Sequence, residues 1–216
     1  MADAVIVSTA RTPIGKAYRG AFNATQPPSL GAFSLKAAIE RAGIEPGEVD
    51  DVLWGSALQQ GGQCPNIARL VSLRAGLPVT TSAMSIDRQC SSGLMAIATA
   101  SRQVVMDRMD VVAAGGQESI SMVQTKDMRM AFDPDLIAMH QATYMPMLQT
   151  AEVVAKRYGI SKERQDEYGA LSQQRAAAAQ APAVVPVILP PTTQAAAPAA
   201  VSTPANARTT GNPSPS

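Results

Sequence analysis

One cysteine in the stretch SIDRQCSSGLMAIATA (residues 85–100) has the setting of a nucleophile. The residues before Cys90 are typical of a β-strand, and those after it are typical of a helix that begins at about Ser91. A thiol at a helix N-terminus lies beside unpaired N–H groups and the positive end of the helix dipole, which favour a thiolate. Arg88 adds a positive charge, whereas the carboxylate of Asp87 opposes the thiolate. Locally, both a reactive thiol and a small packed side chain fit this pattern.

The other thiol and the single imidazole do not point to a metal site. Cys64 and Cys90 are the only cysteines and have no CxxC spacing, which argues against a disulfide framework and against a zinc centre. His140 is the only histidine. We interpret Cys64 as a packed side chain and His140 as a surface or packing residue. The sequence therefore predicts no metal ion.

Alternating strands and helices must position Cys90. Repeated units of strand, loop and helix imply parallel strands joined by right-handed crossovers. Parallel sheets collect their chemistry at the carboxyl ends of their strands, and Cys90 follows the third predicted strand. The predicted strands are residues 3–10, 49–58, 84–87 and 110–116, and the predicted helices that follow them are residues 30–43, 66–76 and 91–109.

The first predicted helix has a clear amphipathic pattern. Ser29 can cap its N-terminus, and Gly43 is typical of a helix end. We expect its apolar face to pack against the sheet, and that face consists of Leu30, Phe33, Leu35, Ala38 and Ile39.

The composition indicates one α/β core without a surface for polyanions. The chain has 216 residues, of which 46% are hydrophobic, and a formal net charge of +1. Its charges are scattered, so no basic stripe for nucleic acid or anionic lipid is present. The first apolar run meets Arg11 and Pro13 too soon for a signal peptide, and no run of about 18 apolar residues occurs. We therefore expect a cytoplasmic protein whose partners include neither nucleic acid nor a membrane.

Three regions follow one another along the chain. Residues 1–121 carry the strand and helix pattern of an α/β domain. Residues 122–180 begin with a methionine-rich loop and continue with helical patterns at 148–159 and after Ser161. Residues 181–216 hold eight of the sixteen prolines, no acidic residue and a single charge, so we expect a Pro/Ala-rich disordered tail.

Several segments resemble the thiolases, a family of acetyl-CoA acyltransferases. The resemblance runs in the family's order from residue 3 to about residue 180, which is more specific than any single motif. It implies a thiolase-like N-terminal domain, with a mostly parallel mixed sheet flanked by helices, followed by part of a loop domain. The segments are STARTPIGK (8–16), GGQCPNIAR (61–69), RQCSSGLMAIA (88–98), AAGGQESISM (113–122) and MPMLQTAEVVA (145–155).

The resemblance also implies a chemistry and a set of partners. Cys90 matches the family's acyl-carrying cysteine, which forms a thioester during acyl transfer between 3-oxoacyl-CoA and CoA. Its backbone N–H would be one oxyanion donor. Met147 would line the acyl or pantetheine pocket. Coenzyme A would then be a substrate, no cofactor would be permanently bound, and the family implies a homo-oligomer.

One departure from the family pattern is large. The second half of a thiolase supplies a GHP histidine, an asparagine in an NEAF-like segment and a CxG cysteine, and none of these motifs occurs here. We therefore expect the resemblance to stop near Gln180 and activity to be impaired, because a positioned base contributes about 10² to 10⁴ in rate. One alternative is a non-catalytic thiolase remnant that at most dimerises, through the surface near Asn66 to Arg69. Another is the related 3-oxoacyl-carrier-protein synthases, which the motifs resemble less.

Overall fold

A five-stranded sheet is the centre of the molecule. The computed structural model describes residues 3–178 and 186–189. In spatial order the strands run β1, β5, β4, β2, β3. Strand β2 is parallel to β3 and β4, whereas β5 is antiparallel to both β1 and β4. Strands β1 to β4 therefore all point the same way and β5 points the opposite way, so the sheet is mixed and mostly parallel, as predicted. The strands are β1 (Val5–Thr9), β2 (Asp51–Gly55), β3 (Ser82–Ile86), β4 (Val112–Gly116) and β5 (Pro186–Leu189).

Helices cover both faces of this sheet. Strand β2, which lies between β4 and β3, is buried along its whole length. Its residues Val52 and Trp54 pack in one apolar cluster with the first two helices, and Leu53 packs in a second cluster with the third helix. Successive strand residues point to opposite faces, so β2 contributes to both clusters. The helices are α1 (Pro27–Ala42), α2 (Ile67–Ala75), α3 (Ser92–Arg102), α4 (Ile120–Val123), α5 (Pro134–Met139), α6 (Met147–Tyr158) and α7 (Lys162–Ala178).

Helix α1 begins earlier than the sequence pattern predicts. Pro27 and Pro28 occupy its first turn, where the fixed φ of proline suits the helix and its missing N–H costs nothing. Ser29 is consequently inside the helix, and its hydroxyl accepts a hydrogen bond from Arg74 Nε at 3.2 Å. The predicted Ser29 cap is therefore wrong. Phe33 also differs from the prediction, because 65% of its surface is exposed, although Leu35, Ala38 and Ile39 are buried.

The region after β4 forms helices that lie at the surface. Helices α5, α6 and α7 contain no buried residue. Helix α6 begins at Met147 and ends at Gly159 in a left-handed conformation, close to the predicted range. Within the residues described, no helix is long and apolar enough to cross a bilayer.

Strand β5 differs from the predicted disordered tail. Most of residues 181–216 lie outside the described residues, so the prediction is not decided for them. Residues Pro186–Leu189, however, pair with Val5–Thr9 on one side and with Val112 and Ala113 on the other. The run VPVIL is rich in β-branched residues, and its proline is the first residue of the strand, where proline is tolerated. The high proline and alanine content of residues 181–216 led to the prediction of disorder for the whole segment, including these four residues.

Candidate active site

Cys90 lies in the loop between β3 and α3, directly before the helix begins. Ser91 is the N-cap residue of α3, and Ser92 is its first residue. The Cys90 side chain is exposed and lines a pocket. Cys90 therefore lies neither in the middle of a helix nor in the core. An exposed thiol directly before a helix is the arrangement that the sequence predicts for a nucleophile.

Short hydrogen bonds hold the Cys90 loop in shape. The Ser92 hydroxyl accepts from Arg88 N at 2.9 Å and donates to Gln89 O at 2.6 Å. Asp87 Oδ1 accepts from Gln89 N at 2.7 Å. Gln89 has a φ of +47°, a left-handed conformation that is uncommon for a residue with a side chain. Ser92 and Asp87 therefore stabilise the tight turn that presents Cys90.

Glycines bring the first turn of α3 against the ends of two strands. A methyl group on Gly55, at the end of β2, would lie 2.5 Å from Gly93 N. A methyl group on Gly116, at the end of β4, would lie 2.9 Å from Gly55 O. Real side chains do not approach backbone atoms so closely, so both positions require glycine. The sequence did not identify Gly55, because its contact with Gly93 joins segments far apart in the chain.

The pocket beside Cys90 is large enough for part of a flexible ligand. Its volume is about 610 Å³, and its walls combine apolar side chains with a few polar groups. The carboxyl ends of β2 and β4 and the first turns of α3 contribute most of the lining. The lining residues are Arg11, Gly55, Ser56, Ala57, Leu58, Gln89, Cys90, Ser92, Gly93, Ile97, Gly115, Gly116, Gln117, Glu118, Ile120 and Gln124.

Glu118 contributes a carboxylate whose two oxygens both accept hydrogen bonds. Oε1 accepts from Gln63 Nε2 at 2.5 Å and from Ser56 Oγ at 3.3 Å. Oε2 accepts from Ala57 N at 2.8 Å. Hydrogen bonds to an ionised carboxylate are strong and directional, so this side chain is held in one orientation. No role for Glu118 follows from the sequence, because its partners come from another part of the chain.

Other residues named from the sequence lie outside this pocket. Met147 is the first residue of α6, is 69% exposed and does not line the pocket. His140 follows α5, is exposed and also does not line it. Cys64 is exposed, and its thiol donates to Gly61 O at 3.0 Å, so the interpretation of Cys64 as a packed side chain is wrong. In the part of the chain that the structure describes, no group of three or more His, Cys, Asp or Glu side chains could hold a metal ion.

The family comparison agrees with this fold. The family described as "Thiolase, N-terminal domain" matches residues 4–207. The match extends past Gln180, where we expected the resemblance to stop, so that expectation is wrong. The reason is visible in the fold, because β5 lies within the sheet and belongs to the same structural unit as the earlier strands.

Individual proteins of this kind are similar to most of the chain. The chain is 43% identical over 183 residues to the 3-ketoacyl-CoA thiolase of Bacillus subtilis (84% of this chain, 46% of the relative). It is 39% identical over 210 residues to the acetyl-CoA acetyltransferase of Cupriavidus necator (88% and 52%).

A solved structure supports the fold as well. The crystal structure of the Bacillus anthracis acetyl-CoA acetyltransferase matches with a TM-score of 0.65 and 34% identity, covering 77% of this chain and 45% of that one. The chain thus spans about half the length of the proteins it matches. With its mixed, mostly parallel sheet, its cysteine directly before α3 and a match over most of its residues, the chain belongs to the thiolase family.

Proposed function

We propose that this chain carries the acyl-accepting half of a thiolase reaction, with Cys90 as the nucleophile. The observation that carries the proposal is the exposed Cys90 thiol, which lies directly before α3 and lines a pocket. Covalent catalysis suits acyl transfer between CoA thioesters, because a cysteine thioester conserves the activation of the acyl group. The names of the relatives, acetyl-CoA acetyltransferase and 3-ketoacyl-CoA thiolase, support acyl-CoA as the substrate class.

The proposed step with acetyl-CoA is a thioester exchange. The Cys90 sulfur, as the thiolate, attacks the acetyl carbonyl carbon and forms a new carbon–sulfur bond. The bond from that carbon to the CoA sulfur breaks, and CoA leaves as a thiolate that takes a proton from water. Attack by CoA on the Cys90 thioester reverses the step. We propose the Cys90 backbone N–H as one donor to the oxyanion that forms between these states.

Turnover by these 216 residues is expected to be slow. The only imidazole of the sequence, that of His140, does not line the pocket. The described residues therefore place no histidine base beside Cys90, and a positioned base contributes about 10² to 10⁴ in rate. We accordingly expect acylation of the chain without rapid release of product.

Intact mass spectrometry after incubation with acetyl-CoA tests the proposal. We expect the mass of one acetyl group on the wild-type chain, retained in Cys64→Ser and lost in Cys90→Ser. Cys64 is a matched control because it is the other cysteine of the sequence and is also exposed. Acetylation that survives Cys90→Ser would contradict the proposal.

We also propose Met147 as a substrate contact, although it does not line the pocket of this structure. Its exposed side chain at the start of α6 is available to a bound acyl chain. The same experiment, run as a titration with acetyl-CoA, compares Met147→Ala with Met130→Ala, which changes another exposed methionine. An equal response of the two variants would remove Met147 from the site.

A second candidate function is self-association without catalysis. Strand β3 is the last strand of the described sheet, and its Met84 is 42% exposed. Unpaired strand edges are templates for pairing with another chain. A discrete dimer in light scattering together with no acetylation of Cys90 would favour this function over the first.

A further inference from the structure

Gln63 joins two loops that form one side of the Cys90 pocket, although it does not line that pocket. Its side chain is fully buried, with 0% of the residue exposed. Its Nε2 donates to Glu118 Oε1 at 2.5 Å and to Leu58 O at 2.7 Å. Its Oε1 accepts from Ser119 N at 2.9 Å. One side-chain amide therefore connects the loop after β2 to the loop after β4.

The chemistry of this connection requires an amide. Leucine at position 63 would leave the part-buried Leu58 O and the buried Ser119 N without these partners, which is strongly unfavourable. Glutamate at position 63 would put a second carboxylate against Glu118, and two such groups in contact cannot both be ionised without a large cost. Only a side chain that donates at one atom and accepts at the next satisfies both loops.

The nucleophile is held by a different set of bonds. Ser92 and Asp87 fix the Cys90 loop, and neither is bonded to Gln63. Loss of the Gln63 amide should therefore disturb the wall formed by Leu58 and Glu118 while Cys90 keeps its place. Binding of a large ligand and the intrinsic reactivity of the thiol thus become separable properties.

We propose that Gln63 is a positioning residue, which acts through Glu118 and Leu58 to hold the pocket in the shape that binds an acyl-CoA beside Cys90. This inference rests on the proposed function. A small thiol reagent does not need the pocket. Loss of the Gln63 amide should therefore weaken saturation by acetyl-CoA while leaving the alkylation rate of the same sulfur atom nearly unchanged.

The test uses the full chain with Cys64→Ser, so that Cys90 is the only thiol. We compare Gln63→Leu with Gln103→Leu, a matched control whose Nε2 donates to Asp51 Oδ2 at 2.8 Å. Gln63→Leu should raise the half-saturating acetyl-CoA concentration about ten-fold but change the rate of alkylation by iodoacetamide by less than about two-fold. Gln103→Leu should change neither, because Asp51 begins β2 and so lies at the opposite end of that strand from the pocket.

A pair of further variants separates positioning from simple loss of structure. Gln63→Glu should raise the half-saturating acetyl-CoA concentration more than Gln63→Leu, because it places a second carboxylate against that of Glu118. Adding Glu118→Gln to Gln63→Glu should recover part of the loss, because an amide again faces a carboxylate. Equal behaviour of Gln63→Leu and Gln103→Leu, or a parallel fall in acetylation and alkylation, would overturn the inference.

The NMR signal of the Ala57 amide tests the positioning role of Gln63 independently of acetylation. Ala57 N donates to Glu118 Oε2, so its signal should move in Gln63→Leu and stay in Gln103→Leu. Absence of acetylation in the wild-type chain contradicts the proposed function, and the Ala57 signal then decides the positioning role. An unchanged signal in Gln63→Leu overturns that role, and a selective change supports it.

Discussion

The position of Cys90 depends on two glycines, which have no side chain and take no part in the chemistry. Gly55 and Gly116 allow the first turn of α3 to contact the strand ends directly, and the loop before the helix therefore lines the pocket. Closely packed backbone of this kind transmits small displacements, because interiors are dense and leave little space for adjustment. A methyl group at the contact should consequently move the nucleophile as well as strain the fold.

At this scale we predict that Gly55→Ala destabilises the chain by about 1–3 kcal/mol, the usual cost of overpacking. The added carbon would meet Gly93 N at 2.5 Å. For a chain of this length the change corresponds to a fall in Tm of about 2–12 °C, which thermal unfolding measures. Acetylation of Cys90 should decrease in the folded variant at the same time.

The control is Gly47→Ala, which adds the same methyl group where no heavy atom lies within 4 Å. Gly47 lies in the short turn Pro46–Glu48, away from the pocket. Its Tm and acetylation should match those of the wild type. A Gly55→Ala chain as stable as the Gly47→Ala chain would show that the contact with α3 is not tight.

Among the elements, β5 has an unusual place. It enters the sheet between β1 and β4, so it is the only described connection by strand pairing between β1 and the other strands. The loop after β1 contributes Arg11 to the pocket. Pairing in β5 therefore affects both the stability of the sheet and the position of one pocket wall.

We predict that a chain ending at residue 180 is less stable than one ending at residue 189. Each net hydrogen bond contributes about 1 kcal/mol, so loss of several ladder bonds on both sides of β5 should cost about 3 kcal/mol or more. Denaturant titration of both chains measures the difference in the free energy of unfolding. The chain that ends at residue 189 controls for removal of the residues that follow β5, and equal midpoints would contradict the role given to this strand.

For the whole molecule, burial differs sharply between two parts. The sheet and helices α1 to α3 enclose the apolar clusters, whereas α5, α6 and α7 bury no residue. Helical stability in proteins comes mostly from packing of an apolar face, and these three helices have little packing of that kind. We propose on this basis that the α/β domain of residues 1–121 and the loop region of residues 122–180 behave as units of different stability.

Hydrogen exchange followed by mass spectrometry tests this difference. Amides of β2 and β4 should exchange at least about a hundred-fold more slowly than those of α6 and α7, which equals about 2.8 kcal/mol in opening free energy. The helices α1 and α2 serve as an internal reference, because they are helical but packed on the sheet. Protection in α6 equal to that in α2 would contradict the proposed division.

The local features of this protein follow from its amino-acid sequence. Apolar runs predicted the first four strands, Gly43 marked the end of α1, and the predicted helix of residues 66–76 closely matches α2. The spacing around Cys90 predicted a thiol directly before a helix. Such features depend on residues close together in the chain, where backbone preference and side-chain periodicity act without help from distant segments.

Contacts between residues far apart in the sequence become known from the folded chain alone. The contact of Gly55 with the first turn of α3, the bond between Gln63 and Glu118 and the insertion of β5 between β1 and β4 all join segments far apart in sequence. No local pattern encodes these meetings, because they arise when separate elements bury their apolar faces against one sheet and must then satisfy the polar groups enclosed with them. For the same reason Met147, on a helix that buries no residue, lies outside the pocket that its sequence motif suggested.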